Sequence, residues 1–343
     1  MNPLTLVPTE QSRPVLLLLA GQGAQRQGMG LGLYDVEPTF TAAVDQLFEL
    51  EGQEGRRVRA DWLSTRPQVP IDDAARAQPL LFAINYALGL TLRSRGIGAQ
   101  LLLGHSIGEL AAACLAGVFG LEHAAEILLA RSAAMAHTPA GGMLAVAGSP
   151  VELAGLLGRS DGPDAVVIAA HNAPRQTVLA GPLAPLERMR RQLVQAGLLC
   201  RPVPSRQPFH SPAVGPAVPI LAKALARRAL CPPAIPIQST RTAALVTAAE
   251  AVRPTFWAEQ IAGPVLFWPA LDAALTRSDW MLVAAGPATE LAVVARRHPA
   301  VRAGRTEIAQ LPIPGRGQST AAWDEAVAVL ADRTTTSPSS GRP

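Results

Sequence analysis

The sequence predicts an α/β fold carrying a smaller inserted unit, and three observations support this. Two short apolar runs of buried-strand type, residues 14–20 and 101–103, each lead straight into a glycine-bearing loop. After the second run, Gly104-His-Ser-Ile-Gly108 precedes an Ala- and Leu-rich helical stretch, residues 109–117, giving a strand, a sharp turn and a helix in succession. Residues 142–205 read β-α-β-β-α-β, the ferredoxin-like arrangement.

Composition bounds the possibilities. The chain has 343 residues, enough for a sizeable core in one large domain or two. Hydrophobic residues make up 49% and charged residues 16%, which excludes a disordered protein, and with only 4% aromatics the core is expected to be Ala, Leu and Val. Of the 30 Lys and Arg residues only Lys223 is a lysine. The net charge of +4 is too small and too dispersed for a nucleic-acid binder, though it suits docking of an acidic partner. Cys114, Cys200 and Cys231 are far apart and form no CxxC pair, which argues for a reducing compartment and against a metal cluster. Residues 1–13 lack a basic segment followed by an apolar core, and no run of 18 apolar residues occurs. A cytoplasmic protein without signal peptide or membrane span is therefore expected.

Along the chain, residues 1–13 and 334–343 read as flexible tails. The strand at 14–20 opens into the Gly-rich loop 21–28. The dinucleotide fingerprint needs Gly where Arg26 stands, and a P-loop needs Gly-Lys-Ser/Thr, so a nucleotide-binding module here is the disfavoured, non-enzymatic alternative. Close backbone approach to a reacting atom is the other use of such a loop. Residues 33–57 show an amphipathic helical pattern. Residues 78–93 are expected to form a helix that is nearly apolar all round, with Pro79 near its start. Residues 121–137 are a further helix carrying Glu126 and Arg131. In the insert, strands are expected at 143–147, 165–169, 176–180 and 200–203, with helices at 150–157 and 183–196. Residues 204–219 are a Pro-rich loop containing Phe209-His-Ser-Pro212. Helices at 214–229, 255–261, 268–275 and 289–298 and strands at 235–239 and 280–284 complete the reading.

The turn at Ser106 has the layout of a nucleophile elbow. Glycines at 104 and 108 remove side chains that would collide with the neighbouring strand and helix, and the hydroxyl lies over a helix N-terminus that favours developing negative charge. The competing reading, a Gly/Ser turn without chemistry, is disfavoured by the strand and helix around it. A serine nucleophile needs a base within reach. His105 adjoins the serine but points away from it at an elbow, and His123, His137 and His298 read as solvated helix residues. His171 and His210 both fall in loops after apolar strands, and residue chemistry alone does not choose between them. Two N–H groups would be needed to stabilise an oxyanion, one from Ile107 and one from loop 21–23.

Gly21-Gln-Gly-Ala-Gln25, Gln78-Pro-Leu-Leu81, Gly104-His-Ser-Ile-Gly-Glu109, Arg131, Gly141-Gly-Met143, Asn172-Ala-Pro-Arg-Gln176, Phe209-His-Ser-Pro212 and Gln260 with Pro264-Val265 occur in that order. In this combination the chain resembles the malonyl-CoA:acyl-carrier-protein transacylases, and specifically the acyltransferases of polyketide synthases, over residues 14–331. The resemblance implies an α/β-hydrolase-like catalytic subdomain, 14–141 and 206–331, with a ferredoxin-like insert at 142–205. It implies Ser106 as nucleophile, His210 as base, and the Gln260 carbonyl as the group that orients His210. Gln22 and Ile107 would form the oxyanion hole. Arg131, with Phe209, Gln78 and Asn172, would bind substrate, the planar guanidinium gripping a malonyl carboxylate.

The implied reaction is ping-pong transfer of a malonyl-type group from CoA to the phosphopantetheine thiol of an acyl carrier protein, in polyketide or fatty acid biosynthesis. It would need no metal or bound cofactor. A monomer acting in trans is expected. The four residues ending at the base, Gln207-Pro-Phe-His210, are compared with His-Ala-Phe-His in malonyl enzymes and Tyr-Ala-Ser-His in methylmalonyl enzymes; Phe209 and Ile107 favour malonyl. Gln207, Pro208, Leu266 and Ala285 depart from the family pattern. The enzymatic alternatives are a proofreading hydrolase of acyl carrier proteins and a transferase for a starter or unusual acyl group. Arg188, Arg190 and Arg191 are candidates for docking the acidic carrier.

Overall fold

The computed structural model describes residues 13–135, 138–157 and 162–334. The flexible tails expected over residues 1–12 and 335–343, and His137, lie outside the described residues. Arg13, placed in the first tail, is tied down by an ion pair with Glu307, and Thr334 ends a helix.

The described strands are β1 (Val15–Leu19), β2 (Leu101–Gly104), β3 (Gly141–Val146), β4 (Val167–Ala173), β5 (Gln176–Pro182), β6 (Cys200–Val203), β7 (Ile237–Gln238), β8 (Met281–Ala285) and β9 (Glu307–Leu311). Five of them form a parallel sheet in the order β7-β2-β1-β8-β9. A parallel sheet is covered on both faces, which is why β1 and β2 read as unbroken apolar runs. Alternate residues serve opposite cores. Leu17, Leu19, Leu102 and Val283 pack with Leu80, Ile84 and Ala111, while Leu16, Leu18, Leu103 and Leu282 pack with Phe267, Leu271 and Leu275.

The central helix Ala74–Ser94 begins four residues before the expected position, because Asp73 caps it by accepting from the Ala75 N–H at 3.0 Å. Pro79 thus stands inside the helix and not at its first turn. The amphipathic stretch expected over 33–57 is divided into helices Leu31–Tyr34, Pro38–Leu50 and Gln53–Leu63. Pro38 starts the second of these, and Gly52, at φ 62°, breaks the chain before the third.

The other four strands form an antiparallel sheet in the order β4-β5-β3-β6, the ferredoxin-like order, with helices Pro150–Leu157 and Leu183–Gln195 closing a small core of Leu144, Val146, Leu153, Leu179, Leu186 and Leu193. Strand β4 runs on to Ala173, so His171 and Asn172 lie in a strand and not in a loop. A backbone bridge joins the two halves: the His171 N–H donates to the Val265 carbonyl and the Val265 N–H to the Ala169 carbonyl, each at 2.9 Å. The sequence reading left β9 and the helix Ala321–Thr334 unassigned. Among the described residues no helix is long and apolar enough to cross a membrane.

Candidate active site

The elbow follows from close packing. A Cβ on Gly104 would lie 2.3 Å from the Glu109 nitrogen, and one on Gly108 would lie 2.3 Å from the Leu19 carbonyl. Ser106 between them adopts φ 54° and ψ −116°, a conformation that costs a non-glycine residue ~1–3 kcal/mol and persists only where its surroundings enforce it. The Glu109 N–H and Gln260 Nε2 donate to the Ser106 carbonyl at 2.8 and 3.1 Å, and the buried Glu109 carboxyl accepts from Ser239 Oγ at 2.5 Å, Thr240 Oγ1 at 2.6 Å and the Thr240 N–H at 3.1 Å. Burial pushes the Glu109 carboxyl above its ordinary range, opposed by these donors. Ser106 is the N-cap of helix Ile107–Leu115, so the Ile107 N–H lies in its first turn, where no intrahelical acceptor exists.

Loop 21–28 reaches the elbow because Gly21 has no side chain; a Cβ there would meet the His105 carbonyl at 2.5 Å and His105 Nδ1 at 2.6 Å. Asn85 clamps the loop's entry, accepting from the Ala20 N–H at 3.1 Å and donating to the Ala20 carbonyl at 2.8 Å. Gln25 holds its middle, accepting from the Gly23 N–H at 2.6 Å and donating to Asp72 at 2.8 Å. The glycines thus serve close backbone packing. Arg26, which interrupts the phosphate-loop pattern, pairs with Glu290.

His210 Nε2 lies 2.8 Å from Ser106 Oγ. On the other side of the ring, Nδ1 lies 3.0 Å from the Gln260 carbonyl and 2.9 Å from the Gly263 carbonyl. Both carbonyls can only accept, so the proton sits on Nδ1, and Nε2 is left to accept from the serine hydroxyl. The His210 backbone, at φ 62°, is held by its N–H donating to the Ile261 carbonyl at 2.8 Å. Burial, with the positive charge of Arg131 second, pulls the imidazolium pKa down to about 3, against the pull of the two carbonyls. The ring is therefore neutral at neutral pH, the state in which it can take a proton.

Arg131 is 1% exposed. Its Nε donates to Gln78 Oε1 at 2.6 Å, Gln78 Nε2 donates to Gln22 Oε1 at 3.0 Å, and Nη2 has no partner among the described residues. The guanidinium lies 5.9 Å from the centre of the buried Phe209 ring. Burial lowers its pKa to about 10, so it stays charged at neutral pH. A buried charge without a counter-charge is costly, and a fork of free N–H donors matches a carboxylate. Beside it, a cavity of about 190 Å³ is lined by Gln78, Ser132, Met135, Gln207 and the start of the central helix.

Ser106, His210, Gln260, Ile107, Arg131, Phe209, Gln78 and Gln22 thus meet in one connected site. Asn172 joins indirectly, with Oδ1 2.9 Å from His105 Nε2. His171 lies half-buried in β4, and the hydroxyl of Ser106 pairs with His210. His123 and His298 are buried, correcting the expectation that they are solvated: His123 Nε2 lies 3.0 Å from the Ala224 carbonyl, and His298 Nδ1 accepts from the Ala300 N–H at 3.1 Å. The sequence reading missed Asn85, Ser239 and Thr240, whose partners are 65 to 136 residues away. Pro208, a departure from the family pattern, packs where a Gly141 Cβ would be, 2.6 Å from its Cγ.

The family model described as "Acyl transferase domain" matches residues 17–301. The chain belongs to this family. A phenolphthiocerol/phthiocerol polyketide synthase from Mycobacterium tuberculosis is 34% identical over 286 residues, covering 83% of this chain and 19% of that protein. The chain thus spans a small part of the curated relatives it matches. Among solved structures, the acyltransferase domain from the second module of the salinomycin polyketide synthase is 31% identical, with TM-score 0.78, covering 93% of this chain and 72% of that one. The loading acyltransferase of the avermectin synthase is 26% identical at TM-score 0.78, covering 92% and 99%. The malonyl CoA-acyl carrier protein transacylase from Coxiella burnetii shares the fold, at 22% identity and TM-score 0.80, covering 95% and 99%. With this family, the resemblance drawn from the motifs and the α/β fold class both stand. The Gly-rich loop lies within the matched acyl transferase domain.

Proposed function

We propose that this acyltransferase moves a malonyl group from CoA to the phosphopantetheine thiol of an acyl carrier protein, through an ester on Ser106, in polyketide or fatty acid biosynthesis. The observation that carries the reading is the buried, uncompensated guanidinium of Arg131, linked through Gln78 to Gln22 beside the Ser106–His210 pair. Relatives named as polyketide synthases and acyltransferases support the pathway class.

In this mechanism His210 Nε2 takes the hydroxyl proton as Ser106 Oγ attacks the thioester carbon. The carbonyl oxygen becomes an oxyanion facing the N–H groups of Ile107 and Gln22. Collapse breaks the carbon–sulfur bond, and CoA leaves as the thiol with the proton from Nε2. The carrier thiol then gives its proton to Nε2 and attacks the acyl-serine, and return of that proton to Oγ frees Ser106. Arg131 holds the distal carboxylate throughout, and Gln260 and Gly263 keep Nδ1 protonated. No resident cofactor takes part. Phe209 occupies the space an α-methyl group would need, which supports malonyl over methylmalonyl. A proofreading hydrolase would use the same serine and histidine, but a monocarboxylic acyl chain leaves Arg131 without a counter-charge. The reading suits a monomer in the cytoplasm, where CoA thioesters are made.

Intact-mass measurement after offering malonyl-, methylmalonyl-, acetyl- and longer acyl-CoAs tests the proposal, with Ser106→Ala as control. Malonylation that persists in water and is discharged by carrier thiol is expected. Loss of the adduct to water at the same rate without carrier would sink transfer in favour of hydrolysis.

A further inference from the structure

Two buried hydroxyls stand beside the elbow at the end of β7. This strand runs parallel to β2, with Leu103 opposite Gln238, so both strands leave the sheet at the same end. There the chain after β2 turns into the elbow, and the chain after β7 continues as Ser239 and Thr240. Ser239 is 0% and Thr240 1% exposed. Their loop is closed behind them. The Ser239 N–H donates to the Ala244 carbonyl at 2.8 Å, and the Val246 N–H donates to the Ile237 carbonyl at 2.9 Å.

The two hydroxyls make different ties. Ser239 Oγ donates to Glu109 at 2.5 Å, on the helix side of the elbow. Thr240 Oγ1 reaches both sides, donating to Glu109 Oε2 at 2.6 Å and to the Gly104 carbonyl at 3.1 Å. Gly104 is the last residue of β2 and Glu109 lies in the first turn of helix Ile107–Leu115. Ser106 sits between them at φ 54°. A strained turn relaxes if its ends can shift, so a side chain bonded to both ends keeps the strain in place.

Thr240 is tied to the base as well. Its carbonyl accepts from the Leu266 N–H at 2.6 Å, and Leu266 ends the segment that supports His210. Within residues 260–266 the Gln260 and Gly263 carbonyls face Nδ1, the Ile261 carbonyl accepts from the His210 N–H, and Val265 is bridged to the insert. Thr240 thus meets the turn of the nucleophile through its side chain and the support of the base through its backbone. Between those two lies the 2.8 Å contact of Ser106 Oγ with His210 Nε2.

We propose that Thr240 is a positioning residue for acyl transfer, its hydroxyl bracing the Ser106 turn against the segment that carries His210. It acts through Gly104, Glu109 and Leu266. The proposal rests on the serine–histidine chemistry of the reading above and not on the identity of the acyl group.

The test uses the full chain with malonyl-CoA and, separately, a serine-directed fluorophosphonate, which reports an activated serine whatever acyl group the site takes. Thr240→Val removes the hydroxyl and keeps nearly the same shape. Single-turnover modification of Ser106 by either reagent should slow about tenfold to a hundredfold, the effect of a small misplacement of reacting groups. KM for malonyl-CoA should stay within about twofold, since the acyl-binding groups are untouched. Thr240→Ser, which restores the hydroxyl, should recover most of the rate. Ser239→Ala takes one bond from Glu109 and leaves Gly104 tied, so it should lose less rate than Thr240→Val for the same fall in melting temperature. If the valine variant does not fold, Thr240→Ala against Thr240→Ser gives the same comparison. A native rate without the hydroxyl, or a serine variant as slow as the valine one, overturns the proposal. So do rate losses that follow melting temperature alike at both positions, or a KM that rises in step with the rate loss. Fluorophosphonate labelling that slows as expected in a chain that malonyl-CoA does not acylate would support the positioning role and sink the malonyl reading alone.

Discussion

Gln260 grips Ser106 from behind: its Nε2 donates to the Ser106 carbonyl at 3.1 Å, while its own carbonyl accepts from His210 Nδ1 at 3.0 Å. One residue therefore sets the orientation of the ring and steadies the strained backbone of the serine it faces.

Replacing Gln260 by Leu keeps the backbone carbonyl and removes the side-chain hydrogen bond to the Ser106 carbonyl. The rate of Ser106 acylation should fall about tenfold to a hundredfold, since a small misplacement of reacting groups has that effect. KM for acyl-CoA should change little, because Gln260 meets the backbone and not the acyl group. Single-turnover acylation followed by mass spectrometry checks this, and an unchanged rate would refute the positioning role.

Arg131→Met should separate stability from selectivity. It removes a buried charge that has no acidic partner among the described residues, so the variant should melt at the same or a higher temperature, with a gain on the order of 1 kcal/mol. Malonylation of Ser106 should fall by ~100-fold or more, while acetylation or longer monoacylation should hold or rise. A variant that still prefers malonyl-CoA would remove Arg131 from the carboxylate site.

The pH response of His210 has a definite sign. Its pKa in the fold is about 3, below the ordinary 6.5, so the unfolded chain binds a proton that the folded chain refuses. The stability tied to the neutral ring is complete above pH 6.5 and is lost as pH falls from there towards about 3. Denaturant titrations of the native chain and His210→Gln should therefore diverge at high pH and converge as pH drops through that window. Acylation of Ser106 should show no inflection near pH 6.5. An inflection there would mean an ordinary, solvated imidazole.

The exposed Arg188 and Arg191 lie on helix Leu183–Gln195, whereas Arg190 is engaged by both oxygens of Glu187 at 2.8 Å. Arg188→Glu with Arg191→Glu should slow transfer to carrier protein severalfold, more at low salt than at high, and leave self-acylation from CoA at its native rate. Transfer kinetics at two ionic strengths decide it; equal rates would leave these residues as an ordinary solvated face.

Ser106 was legible in the sequence because an elbow is local: a strand, two glycines at fixed spacing and a helix are read within some fifteen residues. The β-α-β-β-α-β order of the insert was legible for the same reason, since its strands follow one another closely in the chain. Strand β9 was not, because only its last residue, Leu311, is buried, so it has little apolar signature. The division of residues 31–63 into three helices was hidden because the apolar period runs through the breaks at Pro38 and Gly52.

By itself, the residue pattern determined the strand-turn-helix and the type of chemistry, a serine needing a histidine. It left His171 and His210 level, because both follow apolar strands. Motif order, taken as a family resemblance, favoured His210. The tertiary structure decided the geometry physically: β4 pairs as far as Ala173 and draws His171 into the sheet, while the carbonyls of Gln260, Ile261 and Gly263 hold His210 at the hydroxyl. The setting of Arg131 likewise depends on Gln78, Gln22 and Phe209, which come from three distant parts of the chain. A charge is buried only by neighbours from elsewhere in the fold, and these are what turn an elbow serine into a site for a charged acyl group.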